Sequence, residues 1–174
     1  MSNSVCEEKV FNEVHSSHVV SLRNFLFYKS GDLEKAKDIA QEAFVRLWNN
    51  CKKVALDKVK SYLFTTANRL FLDDVDHQKV ILKFQHRSGM SESQLEHNPE
   101  YLYREGEFKA RLEEAVSSLP EKQRVVFLMS RIDKIKNKDI ADQLDISIKT
   151  VEKHLATSIS TLKSMLDDLS ELKI

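Results

Sequence analysis

Between Lys138 and Leu155 the chain reads Lys-Asp-Ile-Ala-Asp-Gln-Leu-Asp-Ile-Ser-Ile-Lys-Thr-Val-Glu-Lys-His-Leu. Ile140, Ala141 and Leu144 make one apolar edge at helical spacing, Asp145-Ile146-Ser147 interrupts it, and Val151 and Leu155 make a second. Ala141 is small enough to let another helix cross closely, Ile146 fills the turn, and Val151 and Leu155 pack back onto Ile140 and Leu144. This is helix-turn-helix spacing. Ser147 is placed to cap the second helix, which leaves Lys149, Thr150, Lys153 and His154 near its exposed leading end. The two lysines can neutralise phosphates or donate to guanine acceptors, and Thr150 and His154 can meet a phosphate or a base edge. Glu152 either accepts from cytosine or screens its neighbours. Each residue alone reads as ordinary surface; within one motif they read as a groove-facing set.

No other group of residues carries chemistry as clearly. Cys6 and Cys51 stand alone, without a Cys-x-x-Cys pair or a nearby histidine ladder, so they read as buried or incidental thiols rather than as a zinc or redox motif. Asp73, Asp74, Asp76 and His77 form an acidic cluster, but no second ligand group accompanies it, and neither a metal nor a cofactor is expected. No nucleophile and base stand in a catalytic pattern, so no catalytic residues and no enzymatic activity are expected.

The elements that must position the motif are helical. Val10, Phe11, Val14, His18, Val19, Leu22, Phe25 and Leu26 recur at spacings of three and four, and Ser30-Gly31-Asp32 ends that run. Ile39, Ala40, Ala43, Phe44, Leu47 and Trp48 mark a second helix, with Asp32 as its N-cap. A third run extends from about Val59 to Lys83 through Leu63, Phe64, Ala67, Leu70, Phe71, Val75, Val80 and Leu82. Phe108, Leu112, Ala115, Val116 and Leu119 form a further stripe that stops at Pro120, which starts a helix containing Val125, Val126, Phe127 and Met129. A last, longer helix runs through Val151, Leu155, Ile159, Leu162 and Leu166.

The 174 residues balance 27 Lys plus Arg against 27 Asp plus Glu. Residues 1–87 carry a charge of +3, residues 88–107 carry −4, and residues 108–174 carry +1. The middle window also holds Ser88, Gly89, Ser91, Ser93, Asn98, Pro99 and Gly106, a linker composition too long for a loop within one compact domain. The expected fold is therefore all-α: two small helical domains, 1–87 and 108–174, joined by a flexible acidic linker, with the helix-turn-helix in the second. Tyr101, Leu102 and Tyr103 are read as part of a tethered loop. Weak local charge means that nucleic-acid binding has to use local contacts rather than a general positive field. No run of about 18 apolar residues and no basic-then-apolar leader is present, so direct membrane insertion is not expected and a cytoplasmic location is.

Three further segments share a resemblance with the helix-turn-helix. The stretch from Asp38 to Trp48, Asp-Ile-Ala-Gln-Glu-Ala-Phe-Val-Arg-Leu-Trp, the stretch Ser61-Tyr62-Leu63-Phe64-Thr65-Thr66-Ala67-Asn68-Arg69, and Leu119-Pro120-Glu121-Lys122-Gln123-Arg124-Val125-Val126-Phe127 follow one another in fixed order. Together with the reader helix they closely resemble a bacterial alternative sigma factor of the extracytoplasmic-function group, over nearly the whole chain. The resemblance implies that the first segment binds core RNA polymerase, the second melts the promoter near minus 10, and the helix from Ser147 to Leu155 reads minus 35. It also implies an anti-sigma partner.

On that reading Asp38, Gln41, Glu42 and Arg46 form a polar docking strip, while Ile39, Ala43, Phe44 and Leu47 face inward. Holding unstacked bases needs cations, aromatic platforms and base-edge donors, and Lys60, Tyr62, Asn68 and Arg69 offer that mixture. Ser147, Lys149, Thr150, Lys153 and His154 form the minus-35 set. Two departures from the family pattern have physical consequences. The carboxylates of Asp73, Asp74 and Asp76 repel phosphate where relatives carry a basic run. Lys134 and Lys136 stand where relatives have Gly and Ser, so the turn before the helix-turn-helix needs Asn137 as a cap or a strained backbone. The last helix is also less basic than usual, so intrinsic duplex affinity is expected to be low and polymerase tethering to supply most of the binding. Two other functions remain open: a stand-alone helix-turn-helix regulator, and an inactive sigma-like interaction module.

Overall fold

The computed structural model describes the backbone of residues 4–73 and 99–171 and the side chains of 4–73 and 106–167. Val75, Val80, Leu82, Asp74, Asp76, His77 and the 88–98 part of the acidic window lie outside the described residues, as do the side chains of Tyr101, Leu102 and Tyr103. Among the described residues the regular elements are all helical, as the periodicity predicts.

The first module has three helices. Helix α1 (Glu8–Ser30) ends where Gly31 takes φ 71°, a left-handed cap that lets its N–H return to the Phe27 carbonyl. A side chain at Gly31 would cost about 1 to 2 kcal/mol there. Asp32 then starts helix α2 (Leu33–Asn49) by accepting from the N–H groups of Glu34 and Lys35, which satisfies donors that a helix start leaves open. Two short 3-10 turns, Cys51–Lys53 and Leu56–Lys58, lead into helix α3 (Val59–Asp73). The three helices close on Leu22, Leu26, Leu47, Leu63 and Phe64, all at most 2% exposed; burying each such side chain contributes about 1.5 to 3 kcal/mol.

Helix α4 (Pro99–Ser118) opens the second module and takes in the 99–107 stretch expected as linker. Phe108, assigned to its apolar stripe, is exposed, whereas Ala115, Val116 and Leu119 are buried. Pro120 caps helix α5 (Glu121–Arg131), where a missing N–H costs nothing. Helices α6 (Asn137–Leu144) and α7 (Ile148–Glu171) complete the module. Asn137 does not cap α6: the capping residue is Lys136, without a side-chain bond, and the turn is made instead by Lys134 at φ 58°. Of the two expected solutions the chain uses the strained backbone. On α7, Ile159 is exposed and Ser158 is fully buried, donating to the carbonyls of His154 and, at 3.3 Å, Gln123.

The modules are packed together. Helix α1 lies against α5 and α3 against α6, and the buried apolar residues of both halves form one cluster.

The cysteines correct the sequence expectation. Cys6 and Cys51 are joined as a disulfide across 45 residues of sequence. Spacing along the chain could not show this, because the pairing arises only when α1 folds back along α2.

Candidate nucleic-acid interface

The second helix of the motif, the start of α7, is built as its spacing predicts. Asp145 adopts φ 53° and ends α6, Ile146 returns its N–H to the Ala141 carbonyl at 3.1 Å, and the Ser147 hydroxyl accepts from Thr150 N at 3.0 Å. Ile140 and Val151 are fully buried beneath the crossing, with Ala141 and Leu155 close behind. Lys149 and Lys153 project into solvent, as does Ser147, which shares a hydrogen bond with the Thr150 hydroxyl at 2.8 Å. Thr150 and His154 are half-buried and line a space that the first module also borders.

They face a cleft of about 430 Å³ between the modules. Its far wall is Phe25, Lys29, Phe64, Thr65 and Asn68, and its near wall includes Lys122, Val125, Gln143 and Ile146. Thus the structure brings Asn68 of the minus-10 set and Thr150 and His154 of the minus-35 set around one space. Burial, then the positive charges of Lys122 and Lys153, hold the His154 imidazole below its ordinary value of 6.5.

The four minus-10 candidates on α3 do not share one face. At about 100° per residue, Tyr62 and Arg69 lie above one another, while Lys60 and Asn68 point elsewhere. Arg69 is exposed. Tyr62 packs against the core and donates to the Arg46 carbonyl at 3.4 Å, and Asn68 Oδ1 accepts from Lys29 Nζ at 2.5 Å. Lys60 lies near His18, whose imidazole is held low by burial first and by Lys60 second.

On α2, Asp38, Gln41, Glu42 and Arg46 are exposed on one side, and Ile39, Ala43, Phe44 and Leu47 are buried on the other. Arg46 Nε donates to Glu42 Oε1 at 2.9 Å. Val45 and Trp48, 52% and 44% exposed, add apolar surface beside this strip; Trp48 stands edge-on to Phe11 with ring centroids 4.9 Å apart.

Three residues that tie the modules together were missed in the sequence. Lys29, 7% exposed, pairs with Glu121 Oε1 at 3.0 Å and sits over the Phe71 ring at 4.7 Å. Arg124, 5% exposed, donates to the carbonyls of Tyr28, Lys29, Ser117 and Leu119. Burial pulls its guanidinium below the usual arginine value, and Glu121 opposes that pull. Asp133 Oδ1 accepts from Asn24 Nδ2 at 2.8 Å and from Tyr28 Oη at 2.9 Å. A buried charge reads as surface in any linear pattern; only the Lys29 position, two residues before the helix-ending Gly31, hints at a special role.

Two family models match, one to each module: sigma-70 region 2 over residues 14–80 and sigma-70 region 4 over residues 109–166. The chain belongs to the sigma-70 family. The relatives place this sigma factor in the extracytoplasmic-function subgroup. It is 25% identical over 149 residues to the ferric citrate uptake sigma factor FecI of Escherichia coli (strain K12), covering 86% of each chain. It is 22% identical over 172 residues to the ECF RNA polymerase sigma factor SigW of Bacillus subtilis (strain 168), covering 94% of this chain and 92% of that one. Among solved structures, the sigma factor RpoE in complex with the anti-sigma factor NepR from Bartonella quintana superposes with a TM-score of 0.62 at 17% identity, over 91% of this chain and 98% of that chain. CnrH in complex with the cytosolic domain of CnrY gives 0.61 at 18%, over 93% and 90%. The all-helical fold is thus shared with known sigma factors. The protein is an RNA polymerase sigma factor that serves promoter-specific transcription initiation, and its partners are core RNA polymerase and promoter DNA.

Proposed function

We propose that the two modules divide initiation between them: residues 1–87 dock on core polymerase and capture opened DNA near minus 10, and residues 108–174 read duplex at minus 35. Asp38, Gln41, Glu42 and Arg46, flanked by Val45 and Trp48, form the docking strip. Arg69 meets phosphates of the opened strand and Asn68 reads a base edge, with Lys60 and Tyr62 at the margins. Lys149 and Lys153 contact duplex phosphates or guanine, and Ser147, Thr150 and His154 complete the minus-35 surface. The chain acts in the cytoplasm and contributes positioning rather than a catalytic step of its own.

The observation that carries this reading is the shared cleft. Thr150, His154 and Asn68 line one space between the modules, so a duplex cannot reach all three while the modules stay packed. Engagement with polymerase has to part the modules, which then span two promoter elements instead of facing each other. The free protein is accordingly a poor DNA binder, and binding energy from the polymerase is spent on opening it.

The same cleft supports an anti-sigma partner. Its walls are mostly apolar, and the buried Gln143 side chain has an Oε1 without a hydrogen-bond partner there. A partner segment that filled the cleft and donated to Gln143 would hold the modules together and block promoter access.

Transcription from a promoter library by core polymerase, with and without the protein, tests the proposal. New start sites sharing minus-35 and minus-10 elements support it. Duplex binding that is equally specific without polymerase would instead favour a stand-alone regulator.

A further inference from the structure

Cys6 and Cys51 join two places that the fold brings to one end of the first module, their Cα atoms 5.1 Å apart. Cys6 lies in the turn before α1, where Glu7 N donates to the Ser4 carbonyl at 3.0 Å. Cys51 opens the 3-10 turn that immediately follows α2. Both residues are only partly buried, Cys51 while packing against the core, and Val5, next to Cys6, is 1% exposed and anchors the N-terminal turn. The bond therefore fastens the start of α1 to the last turn of α2. That turn carries Arg46 and Trp48 and is otherwise held by the buried Leu47, by the Asn50 bonds to the Arg46 and Leu47 carbonyls, by the Tyr62 hydroxyl's bond to the Arg46 carbonyl and by the Phe11 contact with Trp48. Arg46, Trp48 and Asn49 are exposed, and exposed helix ends with few buried contacts open most easily.

We propose that Cys6 and Cys51 form a reversible thiol–disulfide modification site, whose oxidised form clamps the last turn of α2 and strengthens docking on core polymerase. The proposal rests on α2 being the docking helix. Its substrate is a low-molecular-weight disulfide, RSSR. One cysteine thiolate attacks a sulfur of RSSR, forming a mixed disulfide and releasing RS⁻. The second thiolate then attacks the protein sulfur of that mixed disulfide, forming the Cys6–Cys51 bond and releasing a second RS⁻. The two cysteines lose two electrons and two protons in total, and RSSR becomes two RSH; two small thiols run the sequence backwards. In a compartment buffered by such thiols a pair of this kind is transient and reports the redox state.

The full-length protein is equilibrated in mixtures of reduced and oxidised glutathione, and thiol trapping gives the fraction bridged. Hydrogen exchange and affinity for core polymerase are then measured on both forms. The expected result is a reversible transition, faster exchange at residues 46–50 in the reduced form, and roughly three- to tenfold weaker polymerase binding on reduction, the scale of one frayed helix end. The Cys6→Ser, Cys51→Ser double variant should match the reduced form under every glutathione ratio. Equal affinity and equal exchange in the two forms overturns the clamp while leaving polymerase docking intact. Faster exchange on reduction with no polymerase binding by either form keeps the clamp on α2 but overturns the docking role. Failure of glutathione to form the bond overturns the modification site.

Discussion

Arg124 Nε donates to the Tyr28 carbonyl at 2.8 Å, across 96 residues of sequence. The same guanidinium reaches Lys29 of the first module and Ser117 and Leu119 of its own, so one buried side chain fixes both the corner between α4 and α5 and the seat of the second module on α1. A guanidinium suits this position because its fork of donors can serve several carbonyls at once. Replacing it strands those carbonyls away from water.

Arg124→Met should therefore destabilise the protein by about 2 to 4 kcal/mol, because several buried acceptors lose their donor together. Denaturant unfolding checks the loss. A change below about 0.5 kcal/mol would mean that water replaces the guanidinium without penalty.

Lys29→Met removes the ion pair with Glu121 and the bond to Asn68 while keeping an unbranched side chain that can pack against Phe25 and Phe71. The modules should part more readily, and duplex binding by the free protein should rise about three- to tenfold as Thr150 and His154 become accessible. Unchanged affinity would show that the packed arrangement does not limit DNA access.

Lys149→Ala and Lys153→Ala act on exposed charges, so stability should change by less than about 0.5 kcal/mol. Each should lower minus-35-dependent initiation and reduce the salt dependence of promoter binding by about one phosphate contact. Activity that stays the same at all salt concentrations removes them from the site.

Asn68→Ala and Arg69→Ala should impair strand opening more than initial duplex binding, read by reactivity of unpaired thymines near minus 10. Equal loss of both steps would assign the two residues to general affinity instead.

Acid should weaken the fold. His154 and His18 are both held below 6.5, by burial first and by lysines second, so near that pH the unfolded chain binds more protons than the folded one. Their contribution is complete above about pH 6.5 and is lost as the pH falls below it. The denaturation midpoint should decline from about pH 7.5 to about pH 5.5, and His154→Gln should flatten part of that slope. A midpoint that rises over this range would reverse the assigned sign.

Local chemistry was legible in the sequence; long-range pairing was not. Gly31, Asp32, Pro120 and Ser147 act on backbone groups within four residues, so their spacing revealed the helix ends that the structure shows. The inward side of α2 and the crossing of α6 and α7 followed from periodicity for the same reason. Lys29, Arg124 and the Cys6–Cys51 bond depend on partners tens of residues away, and nothing local distinguishes a buried lysine from a solvated one. Periodicity also overstated Phe108 and Ile159, because an apolar residue at helical spacing is buried only where another element covers it. Ser158 shows the converse: its hydroxyl finds two carbonyls, and a polar residue becomes fully buried. The site sets were legible as compositions of charge and hydrogen-bonding groups, but the facing of Asn68 toward Thr150 and His154 exists only in the packed pair of modules.

Energy transfer between dyes placed at the exposed Ser61 on α3 and Thr157 on α7 tests most directly whether promoter engagement parts the modules. Efficiency should be high for the free protein and fall when core polymerase and promoter DNA are added. The same efficiency in the free protein and in an active initiation complex would contradict the account.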